Sequence, residues 1–69
     1  MIDHTFVQCV LGSSPYEVVR AINENISYHM ANCKPGERIL LRQIIPNDWI
    51  SPEGNYQIGA YLLYVVETK

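Results

Sequence analysis

Tyr56 to Glu67 reads YQIGAYLLYVVE, the longest apolar stretch of the chain, and its two faces decide the fold. Aromatic and β-branched residues dominate it, so the segment is expected to be a strand. One face carries Tyr56, Ile58, Ala60, Leu62, Tyr64 and Val66, and the other carries Gln57, Gly59, Tyr61, Leu63, Val65 and Glu67. Both are apolar through the middle. An antiparallel sheet with one wet face alternates apolar and polar residues, whereas a strand covered on both sides reads as this one does. The segment therefore belongs in the centre of a sheet, and something must cover each side of it.

Working outward, Arg38 to Pro46 (RILLRQIIP) is a second strand, with Leu40 and Ile44 on one face and Ile39, Leu41 and Ile45 on the other. Asn47 to Asn55, with Trp49, Pro52 and Gly54, joins the two strands as a nine-residue loop, longer than the usual hairpin connection. His4 to Leu11 (HTFVQCVL) is a further strand, closed by Gly12. Between the first two strands lies a helix. Ser14 is a good N-cap, Pro15 suits the first helical position, and Glu17 completes a capping box. Val19, Ile22, Ile26, Met30 and Cys33 then form one helical face, widened by Val18, Ala21 and His29, until Lys34-Pro35-Gly36 ends it. A helix of about 19 residues is roughly 28 Å long.

The element order is β-α-β-β in a single α+β domain spanning residues 1–69. One helix packs on a three-stranded antiparallel sheet, and the apolar third strand in the middle gives the order 1-3-2. A single helix covers one face only. The other face is then an exposed apolar patch, the mark of an interaction surface. A second copy is the simplest cover, so a homo-oligomer is expected.

Composition narrows the function. Sixty-nine residues form one domain whose own core supplies only about 3–5 kcal/mol, so help from a disulfide, a metal or a partner is the rule. With 48% apolar and 17% charged residues the chain is not disordered. A net charge of −2 provides no basic stripe for nucleic acid and no attraction to anionic membrane. Ala60 to Val66 is far too short to span a bilayer, and Met1-Ile2-Asp3-His4 does not open a signal peptide, so the expected compartment is cytoplasmic. Cys9 and Cys33 are expected to be buried, reduced thiols packed as small apolar residues rather than a staple.

Candidates for chemistry are few. His29 and Cys33 stand at helical i, i+4 spacing, as two zinc ligands can, with His4 and Cys9 as the other two. No CxxC or HExxH accompanies them, and Cys33 continues the apolar stripe, so no metal site is expected. The same residues lack the surroundings of a Cys–His nucleophile. Asp48 and Glu53 flank Trp49 without a spacing that fixes their separation. Gly12-Ser13-Ser14 opens a helix, as any capped helix does, and is not a P-loop. No nucleophile, base and orienting residue can be assembled, so the chain is not expected to be an enzyme.

The segment around Trp49, the only tryptophan, is more suggestive. Trp49 and Tyr56 can stack on a planar ligand or anchor a contact. With Tyr61, Arg42 and Arg38 they form the candidate ligand-binding set. The competing reading folds Trp49 back over an open end of the core.

A strand, a capped helix and a two-strand hairpin in under 70 residues resemble dodecins, small flavin-binding proteins with β-α-β-β subunits that assemble. Small phage and sporulation-associated proteins share the outline. Dodecins stack flavin on a tryptophan within the second strand. Ile39 to Ile45 holds none and Trp49 lies beyond it, so no dodecin site residue carries over and no cofactor is expected. The function expected is a non-enzymatic homo-oligomeric binding module. It would hold or sequester a small planar or anionic, nucleotide-like ligand near a subunit interface, as a nucleotide sponge does. The alternative is a protein-interaction or inhibitor module that uses its apolar sheet face.

Overall fold

The computed structural model describes residues 1–68. It contains β1 (Ile2–Gly12), α1 (Pro15–Ala31), β2 (Glu37–Ile50) and β3 (Tyr56–Thr68). The sheet has the order β1-β3-β2, with both outer strands antiparallel to β3. The α+β architecture and the central position of the third strand thus match what its two apolar faces require.

The start of α1 follows from its first residues. Ser14 is extended (φ −147°, ψ 159°), and its Oγ accepts the Glu17 N–H at 3.3 Å. The Glu17 carboxylate closes the other half of the cap one residue earlier than a capping box does. It accepts the Ser13 N–H at 2.7 Å and the Ser13 hydroxyl at 2.6 Å. These bonds hold the Glu17 carboxyl below its ordinary pKa. The helix ends sooner than the apolar spacing implies, because Asn32 caps it. Both the Asn32 backbone N–H and its Nδ2 donate to the Tyr28 carbonyl, at 3.1 and 2.7 Å.

The helix also presents a different face from the one expected. Val18 is buried, while Ala21, Ile22 and Ile26 pack on the core formed by Val10, Ala60, Leu62 and Tyr64. Val19 and Met30, read as part of the stripe, are 57% and 56% exposed. Two apolar stripes overlap on α1, and the sheet selects the one that continues through His29. The His29 ring lies 4.9 Å from Phe6 on β1 and 4.8 Å from Tyr64 on β3, so α1 sits over the β1–β3 pair. Phe6 and Tyr64 stack at 5.0 Å. The Tyr64 hydroxyl donates to Asn25 Oδ1 at 2.7 Å, and burial pushes its pKa up. Its polar tip is thereby satisfied inside the core, as a buried phenol requires.

The second strand corrects the sequence reading twice. β2 continues through Pro46, Asn47 and Asp48 to Ile50, and the connection shrinks from nine residues to the five of Ser51–Asn55. Within that turn Ser51 N–H donates to the Asn55 carbonyl and Gly54 N–H to the Ser51 carbonyl, both at 2.8 Å, with Gly54 at φ +85°. Residues of poor strand propensity are tolerated because β2 is an edge, where a proline forfeits no ladder bond. Between Leu41 and Gln43 the register shifts, leaving Arg42 as the extra residue of a bulge. The bulge inverts the alternation. Leu40 pairs with Val65 and Ile44 with Leu62, so these two residues, expected on one face, lie on opposite ones.

No helix of the described residues is long and apolar enough to cross a membrane.

Candidate functional site

The face of the sheet away from α1 is built by alternate residues of three strands. β3 supplies Tyr61, Leu63 and Val65, and their partners on β1 are Cys9, Val7 and Thr5. The partners on β2 are Ile45, Gln43 and Leu40. No element covers this face among the described residues. Val7 is 57% exposed and Leu11 47%, and Ile45 is equally open. The molecule is elongated, 46 × 18 × 16 Å, so this apolar face forms one long side of it.

Trp49 lies on this face, within β2 and opposite Gln57. Its ring crosses the neighbouring strand at Gly59. A Cβ at residue 59 would collide with the Trp49 ring and the Val10 carbonyl oxygen, and would stand 2.9 Å from Leu11 Cδ2. Glycine therefore lets the indole lie close over β3 and reach towards β1. Tyr61 meets it edge-on, with ring centroids 5.6 Å apart and planes at 67°. The ring does fold back onto the sheet, but over its uncovered face rather than over an open end of the core.

The five candidate ligand-binding residues do not form one cluster. Trp49 and Tyr61 come together. Tyr56 occupies the helix side of the sheet, and its hydroxyl donates to Asp48 Oδ2 at 2.6 Å. That bond to a carboxylate favours the neutral phenol and raises the Tyr56 pKa. Arg38 is opposite Glu67, ten residues along β3 from the partner of Trp49, a separation of about 33 Å. Its Nη2 donates to Glu67 Oε1 at 2.9 Å, which holds the Glu67 carboxyl below its ordinary pKa. Arg42, at the bulge, lines a shallow groove of about 290 Å³ with Ile2, Leu40, Val65 and Glu67, on the same uncovered face but at the opposite end of the sheet from Trp49.

Gly59, Leu11 and Val7 were not among the sequence candidates. A glycine inside a strand pattern is itself a signal of close approach by a ligand or another chain segment, and Gly59 carries it. The potential metal ligands are not gathered. Cys9 lies on the uncovered face and His29 on the other, Cys33 Sγ donates to the Glu37 carbonyl at 3.0 Å, and His4 Nδ1 is 2.6 Å from Asp3 Oδ2. Both cysteines are free, but neither is buried as expected: Cys9 is exposed, because it falls on the uncovered face of an edge strand, and Cys33 is half-buried beyond the end of α1. A surface depression of about 600 Å³ forms a furrow on the exposed flank of α1 between Tyr16 and Tyr28. Its charged groups, Arg20 and Glu24, are spent on each other at 3.1 Å.

No family model, curated protein or solved structure matches the chain. Trp49, expected in the loop beyond the second strand, stands inside it, because β2 runs on to Ile50.

Proposed function

We propose that the chain is a non-enzymatic homo-oligomeric binding module. A second copy covers the outer sheet face, and a small planar, nucleotide-like ligand lies between copies against Trp49 and Tyr61. The supporting observation is the indole, seated on Gly59 and edge-on to Tyr61, at the hairpin end of an apolar face with no cover of its own. Each ring of such a pair favours a further flat ring through offset or edge contact. Arg38 is occupied by Glu67, so Arg42 is the β2 guanidinium without an ion pair among the described residues. It is the residue available for an anionic tail.

Trp49 is the only tryptophan, so its fluorescence reports on this site alone. Riboflavin, flavin mononucleotide and a set of adenine and guanine nucleotides should include a compound that quenches Trp49 and raises the melting temperature. Tyr61→Ala should weaken that quenching about tenfold, near 1.4 kcal/mol. If no compound quenches or shifts the melt, and native mass spectrometry of protein taken from cells shows no small molecule, ligand binding is refuted. Light scattering tests the second copy. A concentration-independent monomer would leave the apolar face to a different protein, which is the interaction-module reading.

A further inference from the structure

The two edges of the sheet are not alike. β2 carries the bulge at Arg42, followed by Pro46, Asn47 and Asp48. Bulges, prolines and charges each blunt an edge against pairing with another strand. β1, at the opposite edge, runs from Thr5 to Leu11 in unbroken register with β3, without proline or charge. Such an edge offers a row of unpaired N–H and C=O groups to any extended segment that matches it.

We propose that β1 pairs antiparallel with β1 of a second copy about a two-fold axis at Gln8, joining two three-stranded sheets into one of six strands. This inference rests on the homo-oligomer proposed above and names one of its interfaces. The register follows from what each residue meets. With the axis at Gln8, Val7 faces the partner's Cys9, Phe6 faces the partner's Val10, and Thr5 faces the partner's Leu11. Gln8 then meets the partner's Gln8 and can exchange hydrogen bonds with it. An axis at Val7 sets Leu11 against the partner's Asp3, and an axis at Cys9 sets Gln8 against the partner's Val10. Both put a carboxylate or an amide against an apolar side chain, whereas the axis at Gln8 meets the partner's Leu11 with Thr5, whose methyl group can make that contact.

The helices support the same register. Because α1 lies over β1 and β3, joining the β1 edges sets the two helices about two strand spacings apart, near 10 Å. Packed helices lie about 8–10 Å apart. Met30 sits in a groove with Ile39 and Leu40 at the start of β2, which turns Tyr28 to the opposite flank, towards the β1 edge. Tyr28 is 63% exposed. His29 is level with Phe6, and rises of about 1.5 Å per helical residue and 3.4 Å per strand residue put Gln8 level with Glu24 and Asn25. The two-fold then brings Tyr28 level with the partner's Ala21, a large side chain against a small one. Glu24, near the axis, is already neutralised by Arg20.

The test uses the full chain. Paired positions on adjacent strands hold their Cβ atoms about 4.5–5.5 Å apart, close enough for a disulfide after slight adjustment. Val7→Cys with Cys9 retained should oxidise to a covalent dimer whose mapped link joins residues 7 and 9. Thr5→Cys with Cys9 retained should do so at least about tenfold more slowly. Tyr28→Glu should weaken association about tenfold with an unchanged circular dichroism spectrum. An oligomer that crosslinks equally at both positions, or that ignores Tyr28→Glu, overturns the edge pairing and leaves the covered-face module standing. A monomer by light scattering overturns both.

Discussion

Gly59→Ala adds a single methyl group to an otherwise apolar strand and should nevertheless cost most of the stability of the chain. The new Cβ meets three groups at once: the Trp49 ring, the Val10 carbonyl oxygen and Leu11 Cδ2. Trp49 and Leu11 can rotate away, but the Val10 carbonyl belongs to the β1 backbone, and β1 is held where Val10 pairs with Ala60 and Leu11 with Gly59. Relief therefore requires part of the β1–β3 ladder to move. Overpacking costs about 1–3 kcal/mol, and a clash with backbone belongs in the upper half of that range. A core of this size supplies only about 3–5 kcal/mol in total. With a urea slope of about 1 kcal/mol per molar, the midpoint should fall by about 2–3 M. Unfolding is followed at one fixed protein concentration by circular dichroism and Trp49 emission, because self-association makes stability depend on concentration. The emission should also shift, since the indole loses its seat. In a Trp49→Ala background the same glycine change should cost less, but still register, because the carbonyl clash remains. A Gly59→Ala protein within about 0.5 kcal/mol of the parent, with unaltered Trp49 emission, would refute the seat.

Other consequences are simpler to check. Ser14→Ala removes the acceptor of the Glu17 N–H and should cost about 1 kcal/mol, lowering the melting temperature by about 4–8 °C. Tyr64→Phe leaves Asn25 Oδ1 without its donor in the core and should cost about 1 kcal/mol in urea titration, with little change in the spectrum of the fold. The Glu17 and Glu67 carboxyls lie below their ordinary value of 4.5 in the fold. Their contribution is complete above that value and is lost as pH falls through the lower folded values, so thermal melts from pH 6 to 2 should decline from about pH 4.5 downwards. Arg38→Gln should flatten part of that decline. Tyr56 behaves in the opposite sense. Its raised pKa makes its contribution complete below 10 and lost as pH rises through the folded value, and Tyr56→Phe should remove that alkaline component.

Elements whose local chemistry is self-sufficient were legible from the residues. Ser14, Pro15 and Glu17 start α1 because capping is settled within one turn of chain. Tyr56 to Val66 occupies the centre of the sheet because a run apolar on both faces has no other economical place. On α1 two overlapping apolar stripes hid which face meets the sheet, and the other errors lie along β2. Pro46, Asn47 and Asp48 argue locally for a loop, yet pairing with Ala60, Gly59 and Ile58 draws them into the ladder. The bulge at Arg42 leaves no trace in an alternation pattern but reverses it from Gln43 onwards.

The order of elements, the antiparallel centre and the want of cover on one face were therefore determined by the sequence alone, since they follow from periodicity, caps and hydrophobicity. Tertiary structure decided where Trp49 goes. The indole lies on Gly59 because β2 extends, the bulge sets its parity, and residue 59 has no Cβ to keep it off. Each of these conditions is a relation between strands that are distant along the chain. Only the folded sheet brings them together and makes an aromatic surface of a residue that reads, in isolation, as part of a turn.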